Sequence, residues 1–410
     1  MKFKDETKQL PVLLSLAYYK LNKKLPGGKE ALRPELVTKI FLIDHNLIEN
    51  KGYDHAAKIM WTDFYHYLKI NINPKNYSIF SHNLGAFDGF FIYFNLLKHS
   101  TDISDEECIV DKENKFIQIT TNLNGSKGKY VFKDSLRIFP VALDYLCEAF
   151  DLKGKLTPYR NDWNSFDLFK DVNKKEYDDF LKYSPAPRLQ DSIALLESLI
   201  KAQKIYNDNY KVDICSIWST ATLSMKIFRQ SFLKVTIPSL NKYLDSFIRS
   251  GYFGGATDHY KQYGENLHHY DVNSLYPFVM LKDMPLNYIK YHPSIKNLDN
   301  FFGFCLARIK CDKSIPIPVL PYRNEDNTIV YPYGSWVGVY FSEQLKSAIS
   351  YGYKVEVING HEFSRAKVFN DYIHHFYNVK KKATGGLRFI AKMQLNQLYG
   401  YCLRQEEVVN

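Results

Sequence analysis

The octapeptide YDVNSLYP, residues 270–277, constrains the fold of this chain more than any other segment. Its order predicts a strand that ends on an acidic residue, Asp271, followed by a turn and by an aromatic residue before Pro277. A carboxylate at a strand end is held in a fixed position, which a metal ligand beside a triphosphate needs. The backbone amides of the following turn can bind phosphate oxygens. An ordinary strand-to-turn aspartate is the alternative. It accounts for Asp271 but not for the whole octapeptide.

A second segment, KMQLNQLYG at residues 392–400, has helical spacing. Lys392, Asn396 and Tyr399 are four and three residues apart, so they share one helical face. A lysine, an amide and an aromatic ring on one face can bind a nucleotide, and Lys380 and Arg388 precede them at helix-compatible intervals. Taken alone, the segment also fits a solvated basic face.

The bulk composition agrees with a nucleic-acid partner. The chain has 410 residues, of which 45% are hydrophobic, enough for more than one core. Its net charge of +10 favours a polyanion, although a merely soluble basic protein is an alternative. The six cysteines lack metal-ligand spacing, which indicates reduced thiols. No apolar run approaches the roughly 20 residues that cross a bilayer, so we expect a soluble protein and no membrane partner.

Strand and helix patterns alternate along the N-terminal half and indicate an α/β layer typical of nucleases. Predicted strands cover residues 10–22, 39–47 and 129–132, and predicted helices cover 54–70 and the segment after Asp134. The segment 76–99 is predicted to form an apolar strand, a glycine-bearing turn and a helix. Further on, a helix is predicted from Asp191, then a strand before Asp271 and a β-rich segment at 301–357. The last predicted segment, 367–399, is helical except at Gly385-Gly386.

The pair DVNSLYP and KxxxNxLYG resembles the first two polymerase motifs of the family B DNA polymerases. Their spacing resembles the protein-primed branch from mitochondrial linear plasmids and small phages, which carries a β-rich insertion between the motifs. The resemblance implies that Asp271 is a catalytic metal ligand, together with Val272, and that Tyr276 excludes a ribose 2′-hydroxyl. Lys392 would contact the triphosphate and Tyr399 would abut the nascent base pair.

Further contacts follow from the same resemblance. It implies nucleotide contacts at Val272, Ser274, Leu275, Tyr276, Lys380, Arg388 and Asn396. The sequence has Gln397 where the family usually carries serine. Upstream, YFGG resembles the YxGG turn that binds the template strand, which implies DNA contacts at Tyr252, Gly254 and Gly255.

Two segments resemble motifs of proofreading exonucleases. HNLGAFDG, residues 82–89, is similar to their second motif, in which Asp88 would hold metal while Asn83 and Phe87 position a single-stranded primer end. DSLRIF resembles the SLxxh motif, in which Ser135 and Leu136 would contact single-stranded DNA. A helix cap is the alternative account of DSLRIF.

The remaining exonuclease motifs depart from the family pattern. The first motif should read acid, any residue, glutamate, but Lys4 precedes Asp5 and Glu6. The third motif should have tyrosine four residues before its aspartate, and Pro187 stands there before Asp191. Glu6 and Asp191 remain the candidate metal ligands beside Asp88. Two-metal hydrolysis needs several converging carboxylates, so the pattern predicts the exonuclease fold and leaves its activity open.

We therefore predict a multidomain α/β and α+β protein with an RNase H-like 3′–5′ exonuclease domain followed by a partial right-hand polymerase. The predicted parts are an exonuclease-like domain at 1–205, a linker and start of the palm at 206–280, a β-rich insertion at 281–375, and a fingers helix at 376–410. The resemblance places a third motif, an Asp-Thr-Asp hairpin, and the thumb further along than Asn410, so we expect the chain to stop short of them.

The predicted function is protein-primed DNA polymerase activity on a mitochondrial or plasmid linear DNA, located in mitochondria. It implies two Mg²⁺ ions, replaceable by Mn²⁺, with dNTPs, a DNA template and primer, and a terminal priming protein as partners. A catalytically inactive nucleic-acid-binding remnant is the alternative. An exonuclease alone is a third reading, against which Lys4 argues.

Overall fold

The computed structural model describes residues 2–3, 6–9, 13–21, 34–99, 103–123, 126, 128–154, 185–256 and 263–402. The chain forms two compact units. The first unit comprises residues 1–231 and 375–410, and the second comprises residues 232–374. The boundaries predicted at 205, 280 and 375 remain predictions.

Strands contribute to both units. They are β1 Lys2–Phe3, β2 Glu6–Gln9, β3 Leu13–Leu21, β4 Pro34–Leu42, β5 Ile79–Ser81, β6 Ile103–Val110, β7 Phe116–Leu123, β8 Tyr130–Asp134, β9 Met284–His292, β10 Gly303–Cys311, β11 Tyr322–Arg323, β12 Ile329–Val330, β13 Gly334–Phe341 and β14 Lys354–Ala366. The strands predicted at 10–22, at the start of 76–99 and at 129–132 are confirmed by β3, β5 and β8. The one predicted at 39–47 is confirmed only in part, because β4 ends at Leu42 and a helix begins at His45.

Helices make up most of the remaining described structure. The α-helices are α1 His45–Lys51, α2 Tyr53–Asn71, α3 Gly89–His99, α4 Leu143–Ala149, α5 Pro185–Tyr210, α6 Thr220–Ile227, α7 Lys242–Ser250, α8 Leu275–Met280, α9 Ser342–Ser350, α10 Asn370–Lys382 and α11 Gly385–Cys402. Short 3-10 turns cover Ser135–Arg137 and Ile214–Ser216, and π-helical turns cover Leu84–Asp88 and Phe228–Phe232. No helix in these described segments is long and apolar enough to span a membrane.

The main sheet of the first unit brings two loops to one edge. Its strand order is β5-β8-β7-β6, and β5 runs parallel to β8 with Ser81 opposite Asp134. The carboxyl ends of two parallel strands meet at the same sheet edge. The segments that follow Ser81 and Asp134 therefore lie side by side. Helix α2 covers the core with one face, burying Trp61 and Leu68 completely, and it confirms the helix predicted at 54–70.

The second unit is built on an antiparallel sheet of order β13-β10-β14-β9. Strand β10 is central and alternates inward side chains, with Cys305, Ala307 and Ile309 fully buried. Such alternation is what a sheet with one covered face requires. The β-rich segment predicted at 301–357 is confirmed.

The two C-terminal helices are separated at the predicted glycine pair. Gly385 has φ +55°, a left-handed conformation that ends the helical path after α10 and favours glycine. A Cβ on Gly386 would lie 2.4 Å from ring carbons of Phe150, so only glycine allows this approach of α11 to the end of α4. The predicted helix break is confirmed at residues 383–384, directly before the glycine pair that begins α11, and the contact with Phe150 gives Gly386 its packing cause.

Two predicted elements are wrong. The strand expected before Asp271 is coil in residues 265–271, because no described strand lies beside it to complete a ladder. The continuous helix expected after Asp134 is a 3-10 turn followed, after Pro140, by the short α4. Proline lacks the amide that a continuing helix needs, and the carboxylate of Asp134 is used to hold another loop.

Candidate active site

The first group of candidate residues surrounds the loop after β5. Asn83 has φ +76°, which asparagine tolerates, and this turn directs two backbone amides toward Asp134. The amide of Asn83 donates to Oδ1 and that of Gly85 to Oδ2 of Asp134, each at 3.0 Å. Oδ1 also accepts the amide of Leu136 at 2.9 Å. Asp134 is buried and thereby fixes both predicted DNA-contacting loops to each other.

His82 provides a second link between these loops. Its Nδ1 lies 3.0 Å from the Ser135 hydroxyl and its Nε2 lies 2.8 Å from the carbonyl oxygen of Val141. Because the carbonyl can only accept, Nε2 carries the proton. The Ser135 hydroxyl lies between Nδ1 and the carbonyl oxygen of Ser81, to which it donates at 3.1 Å. Burial lowers the pKa of His82, which keeps the imidazole neutral. His82 and Asp134 both belong to predicted motifs, but the sequence did not reveal these roles. The signal was their position at strand ends, because His82 directly follows β5 and Asp134 is the last residue of β8.

Asp88 lies at the end of the same turn and accepts a short hydrogen bond from the Ser81 hydroxyl. Burial raises its pKa, the Ser81 bond lowers it, and the neighbouring Asp134 charge raises it further. The net direction is upward. The side chains of Asn83 and Phe87 are exposed beside it, with Phe87 47% accessible and packed edge-on against Phe91.

The structure thus brings Asn83, Phe87, Asp88, Ser135 and Leu136 together, as the motifs predict. It places Asp191 elsewhere: Asp191 lies on α5 and, with Asp144 and Glu197, acts on the thiol of Cys147, whose pKa is raised mainly by burial. For Glu6 the structure gives only the backbone, in β2. Within the described segments, no three acidic, histidine or cysteine side chains form a group able to hold a metal ion.

The second group of candidates lies on α11, in the same unit. Lys392 and Asn396 are exposed and Tyr399 is half-buried, while Met393, Leu395 and Leu398 on the opposite face are buried.

Two polar contacts hold this helix in place. The fully buried Gln394 donates to the hydroxyl of Tyr206 at 3.1 Å, a contact that the sequence pattern did not reveal. The guanidinium of Arg388 donates to the carbonyl of Lys380 at 2.9 Å and joins α11 to the basic last turn of α10.

The third group belongs to the second unit. Asp271 and Val272 are exposed, and Ser274 has φ +56° immediately before α8, where Leu275 and Tyr276 remain about half exposed. Within the described segments, Asp271 has no hydrogen-bond or ion-pair partner. A carboxylate held in solvent beside the start of a helix can bind a cation or a polar ligand.

The YFGG turn lies next to this motif. A Cβ added to Gly255 would lie 3.6 Å from the Tyr276 hydroxyl, whereas one on Gly254 would meet nothing within 4 Å. Arg323 supports the turn, because it donates to the carbonyl of Tyr252 at 3.0 Å and lies over the Phe253 ring. Gly254 and Gly255 are both exposed, so a phosphate backbone can approach the main chain of this turn. Arg323 was missed because it lies far away in sequence.

Comparison with known proteins shows the family to which the segments with these motifs belong. Residues 68–401 match the sequence model of a family described as DNA polymerase type B, organellar and viral. The chain belongs to this family. The match includes both polymerase motifs, the YFGG turn and the second exonuclease motif. Membership is therefore shown for the residues that form all three groups of candidates.

Two fungal proteins named probable DNA polymerase are similar to this polymerase-family chain. That of Neurospora intermedia is 30% identical over 378 residues, which cover 79% of this chain and 38% of the relative. That of Agaricus bitorquis is 28% identical over 404 residues, covering 88% of this chain and 50% of the relative. The chain thus spans about a third to a half of the length of these relatives.

The fold is shared with a solved phage polymerase. Phi29 DNA polymerase, from a Bacillus phage, matches with a TM-score of 0.64 at 18% identity, covering 95% of this chain and 68% of that one. The predicted multidomain α/β fold of a partial polymerase is confirmed. Members of this family generally use divalent metal ions.

The raised pKa of Asp88 gives a first testable prediction. Between the ordinary aspartate pKa of 3.8 and the raised folded value, the folded protein binds more protons than the unfolded chain, so stability falls as the pH rises through that window. The ionised form of this partly buried carboxylate is therefore the destabilising one. Asp88→Asn is expected to raise Tm by roughly 2–4 °C at pH 7 and to lose that gain as the pH approaches 4.

The measurement is thermal unfolding of both proteins from pH 4 to 8. Asp63→Asn, at an exposed position of α2, is the matched control and should leave Tm unchanged at every pH. A Tm of Asp88→Asn below that of the parent at pH 7 would show that the carboxylate stabilises the fold instead.

Proposed function

We propose that this chain acts in template-directed DNA synthesis, as the part of a protein-primed family B polymerase that binds DNA and selects the nucleotide. The observation that carries the proposal is the family match over residues 68–401, which contains both YDVNSLYP and the exposed face of α11. Relatives named DNA polymerase in fungi and Bacillus phages support it. The substrate of the complete process is a linear plasmid or mitochondrial DNA, with synthesis located in mitochondria.

The proposed roles follow the groups of candidates. Lys392 binds the triphosphate, Asn396, Arg388 and Lys380 add polar contacts to it, and Tyr399 lies against the new base pair. In the second unit, the aromatic ring of Tyr276 excludes a ribose 2′-hydroxyl. The amides at Ser274 and Leu275, beside the left-handed turn, bind phosphate oxygens.

A divalent metal fits these residues only in part. The Asp271 carboxylate and the Val272 carbonyl are oxygen donors of the kind that Mg²⁺ prefers, and Mn²⁺ accepts the same donors. When bound, the ion would neutralise phosphate charge and favour ionisation of the primer hydroxyl. The described residues supply no third side chain for such a site. Without a bound ion, the role of the residues named above is to bind and orient DNA and nucleotide.

The exonuclease-like site is proposed to hold a single-stranded primer end. Asn83, Phe87, Ser135 and Leu136 form the contact surface, and Asp134 with His82 fix it. Both oxygens of Asp134 already accept backbone amides, so Asp88 is the remaining carboxylate of the described part of this site. Such a set does not fit two-metal hydrolysis, and we propose strand binding without a hydrolytic step. The first primer is proposed to be a hydroxyl of a separate terminal protein.

The absence of a three-ligand group in the described segments favours a second candidate function, a nucleic-acid-binding remnant without catalysis. The two functions differ in whether the template base chooses a nucleotide. A remnant binds DNA through its charge and ignores the identity of the dNTP.

A ternary-complex assay separates them. The 410-residue chain is titrated onto a labelled primer–template whose primer ends in a dideoxynucleotide, with each of the four dNTPs in turn. The polymerase proposal expects the complementary dNTP alone to tighten DNA binding about tenfold or more. Changing the template base should switch which dNTP does so. Equal affinity with all four dNTPs would leave the remnant as the function.

A further inference from the structure

Helix α5 contacts both C-terminal helices through tyrosine hydroxyls. It carries Tyr206 and Tyr210 one helical turn apart, and the whole of α11 and residues 375–382 of α10 belong to the same unit. The hydroxyl of Tyr206 accepts a hydrogen bond from the side-chain amide of Gln394 on α11 at 3.1 Å. The hydroxyl of Tyr210 lies 3.0 Å from Nε2 of His375 on α10. We call these two interactions the tyrosine contacts.

The contact to α11 is a polar pair in an apolar interface. Tyr206 and Gln394 are both completely buried, and the other buried residues of α11 are apolar. Burial raises the pKa of Tyr206, so its hydroxyl keeps its proton. An amide in such surroundings costs free energy unless it is hydrogen-bonded, and the bond requires one direction of approach. Gln394 can therefore reach its partner in only a narrow range of helix orientations.

Gln394 lies on the opposite side of α11 from the residues proposed to bind the nucleotide. Successive residues of an α-helix are about 100° apart around its axis, so positions two before and two after Gln394 are each about 160° from it. These positions are Lys392 and Asn396, and both are exposed. A rotation of α11 that moves Gln394 away from Tyr206 moves both side chains by the same angle. The buried bond thus determines where the exposed face points.

The apolar contacts of α11 select one rotation less sharply. This helix packs against α4 and α6 as well as α5. Apolar side chains can repack when a helix rotates by a few degrees, and such changes cost little if the buried volume is kept. A buried polar pair instead favours one register, as a single polar residue does between paired helices.

We propose that Tyr206 is a positioning residue for nucleotide binding, which orients Lys392 and Asn396 through its bond to Gln394. Tyr210 acts in the same way on α10, where His375 lies five residues before Lys380. This inference rests on the proposed function and names the buried contacts that orient its nucleotide-binding residues. Neither tyrosine touches the nucleotide.

The test measures nucleotide binding and thermal stability separately. Tyr206→Phe keeps the ring but leaves the amide of Gln394 without this partner, so Tm is expected to fall by roughly 3–6 °C. In the ternary-complex assay, at a temperature where circular dichroism shows every variant folded, it should bind the complementary dNTP about tenfold more weakly. Tyr210→Phe should weaken it about threefold, because Lys380 only adds to the contact of Lys392. DNA binding without nucleotide should not change.

A double variant separates positioning from stability. Combining Tyr206→Phe with Gln394→Met replaces both polar groups by apolar groups of similar size, which is close to neutral for stability. Its Tm is expected to return to within about 2 °C of the parent. Its affinity for the complementary dNTP should stay about tenfold lower, because nothing then fixes the rotation of α11. Recovery of both quantities would mean that the bond acts only through stability, and it would overturn the inference.

Tyr130→Phe is the matched control. Tyr130 is also buried, and its hydroxyl donates to the carbonyls of Leu68 and Ile72 at 3.1 and 3.0 Å, at the C-terminal end of α2. This variant should lose stability and keep the dNTP affinity of the parent. An equal loss of dNTP affinity in Tyr130→Phe and Tyr206→Phe would show a general effect of destabilisation and would overturn the inference.

The outcomes also separate this inference from the proposed function. A parent protein whose DNA affinity is the same with all four dNTPs overturns the proposed function and this inference with it. A parent that selects the complementary dNTP, beside a Tyr206→Phe variant that selects it equally well, overturns the inference alone.

Discussion

Gly386→Ala is expected to destabilise the first unit by about 2–3 kcal/mol, a fall in Tm of roughly 5–10 °C. The added Cβ would lie 2.4 Å from Cδ1 and Cε1 of Phe150. That ring is buried and packs against Phe389, so it has little room to move. The start of α11 would have to shift away from α4. Thermal unfolding monitored by circular dichroism measures the loss.

Gly400→Ala is the matched control for this prediction. It lies on the same helix, and a Cβ there meets nothing within 4 Å. Alanine is the better helix former, so this variant should be as stable as the parent or more stable by about 0.5–1 kcal/mol. Equal effects of the two substitutions would mean that the approach to Phe150 does not determine where α11 lies.

Lys392→Ala is expected to weaken binding of the complementary dNTP in the ternary-complex assay by about 10- to 100-fold. The loss corresponds to roughly 1.5–3 kcal/mol for a charged hydrogen bond. Lys392 is exposed on α11, whose opposite face is buried, so its removal should not change the fold. DNA binding without nucleotide should change little.

Lys381→Ala is the control for Lys392→Ala. It removes the same charge from an exposed position in the last turn of α10. Its dNTP affinity should match that of the parent. If both variants lose nucleotide affinity equally, the effect is that of net charge, and the specific role proposed for Lys392 is wrong.

The sequence predicted those helices and strands whose hydrophobic spacing and end residues lie within one continuous segment. The helix expected at 54–70 is observed as Tyr53–Asn71, because its apolar spacing agrees with the face that it buries. The helix break near Gly385-Gly386 could be predicted from the sequence because a pair of glycines often interrupts a helix. The face of α11 followed from spacing alone.

Other features depended on partners distant in sequence. The segment before Asp271 has the composition of a strand, yet a strand needs a neighbour, which the described residues do not provide. Helix α5 begins at Pro185 rather than at the predicted Asp191. Proline is tolerated in the first turn of a helix, but the sequence around Pro185 does not indicate that a helix begins there. The contact of Gln394 with Tyr206 joins residues 188 positions apart.

The sequence predicted which motifs form the candidate site. It did not predict the contacts that hold the motif residues in place. The grouping of Asn83, Phe87, Asp88 and Ser135 followed from two quoted motifs. The triple use of Asp134 by backbone amides did not, because amide directions depend on the left-handed turn at Asn83.

Template-dependent nucleotide binding tests the central claim most directly. The 410-residue chain and its Asp271→Asn variant are each mixed with a dideoxy-terminated primer–template, Mg²⁺ and one dNTP at a time, and DNA binding without nucleotide is measured in parallel. The account predicts that the complementary dNTP tightens DNA binding by the parent, that Asp271→Asn weakens this effect, and that both proteins bind the DNA equally well without nucleotide. Parent protein that binds the primer–template with the same affinity whichever dNTP is present would contradict the account and leave a DNA-binding protein with a polymerase fold.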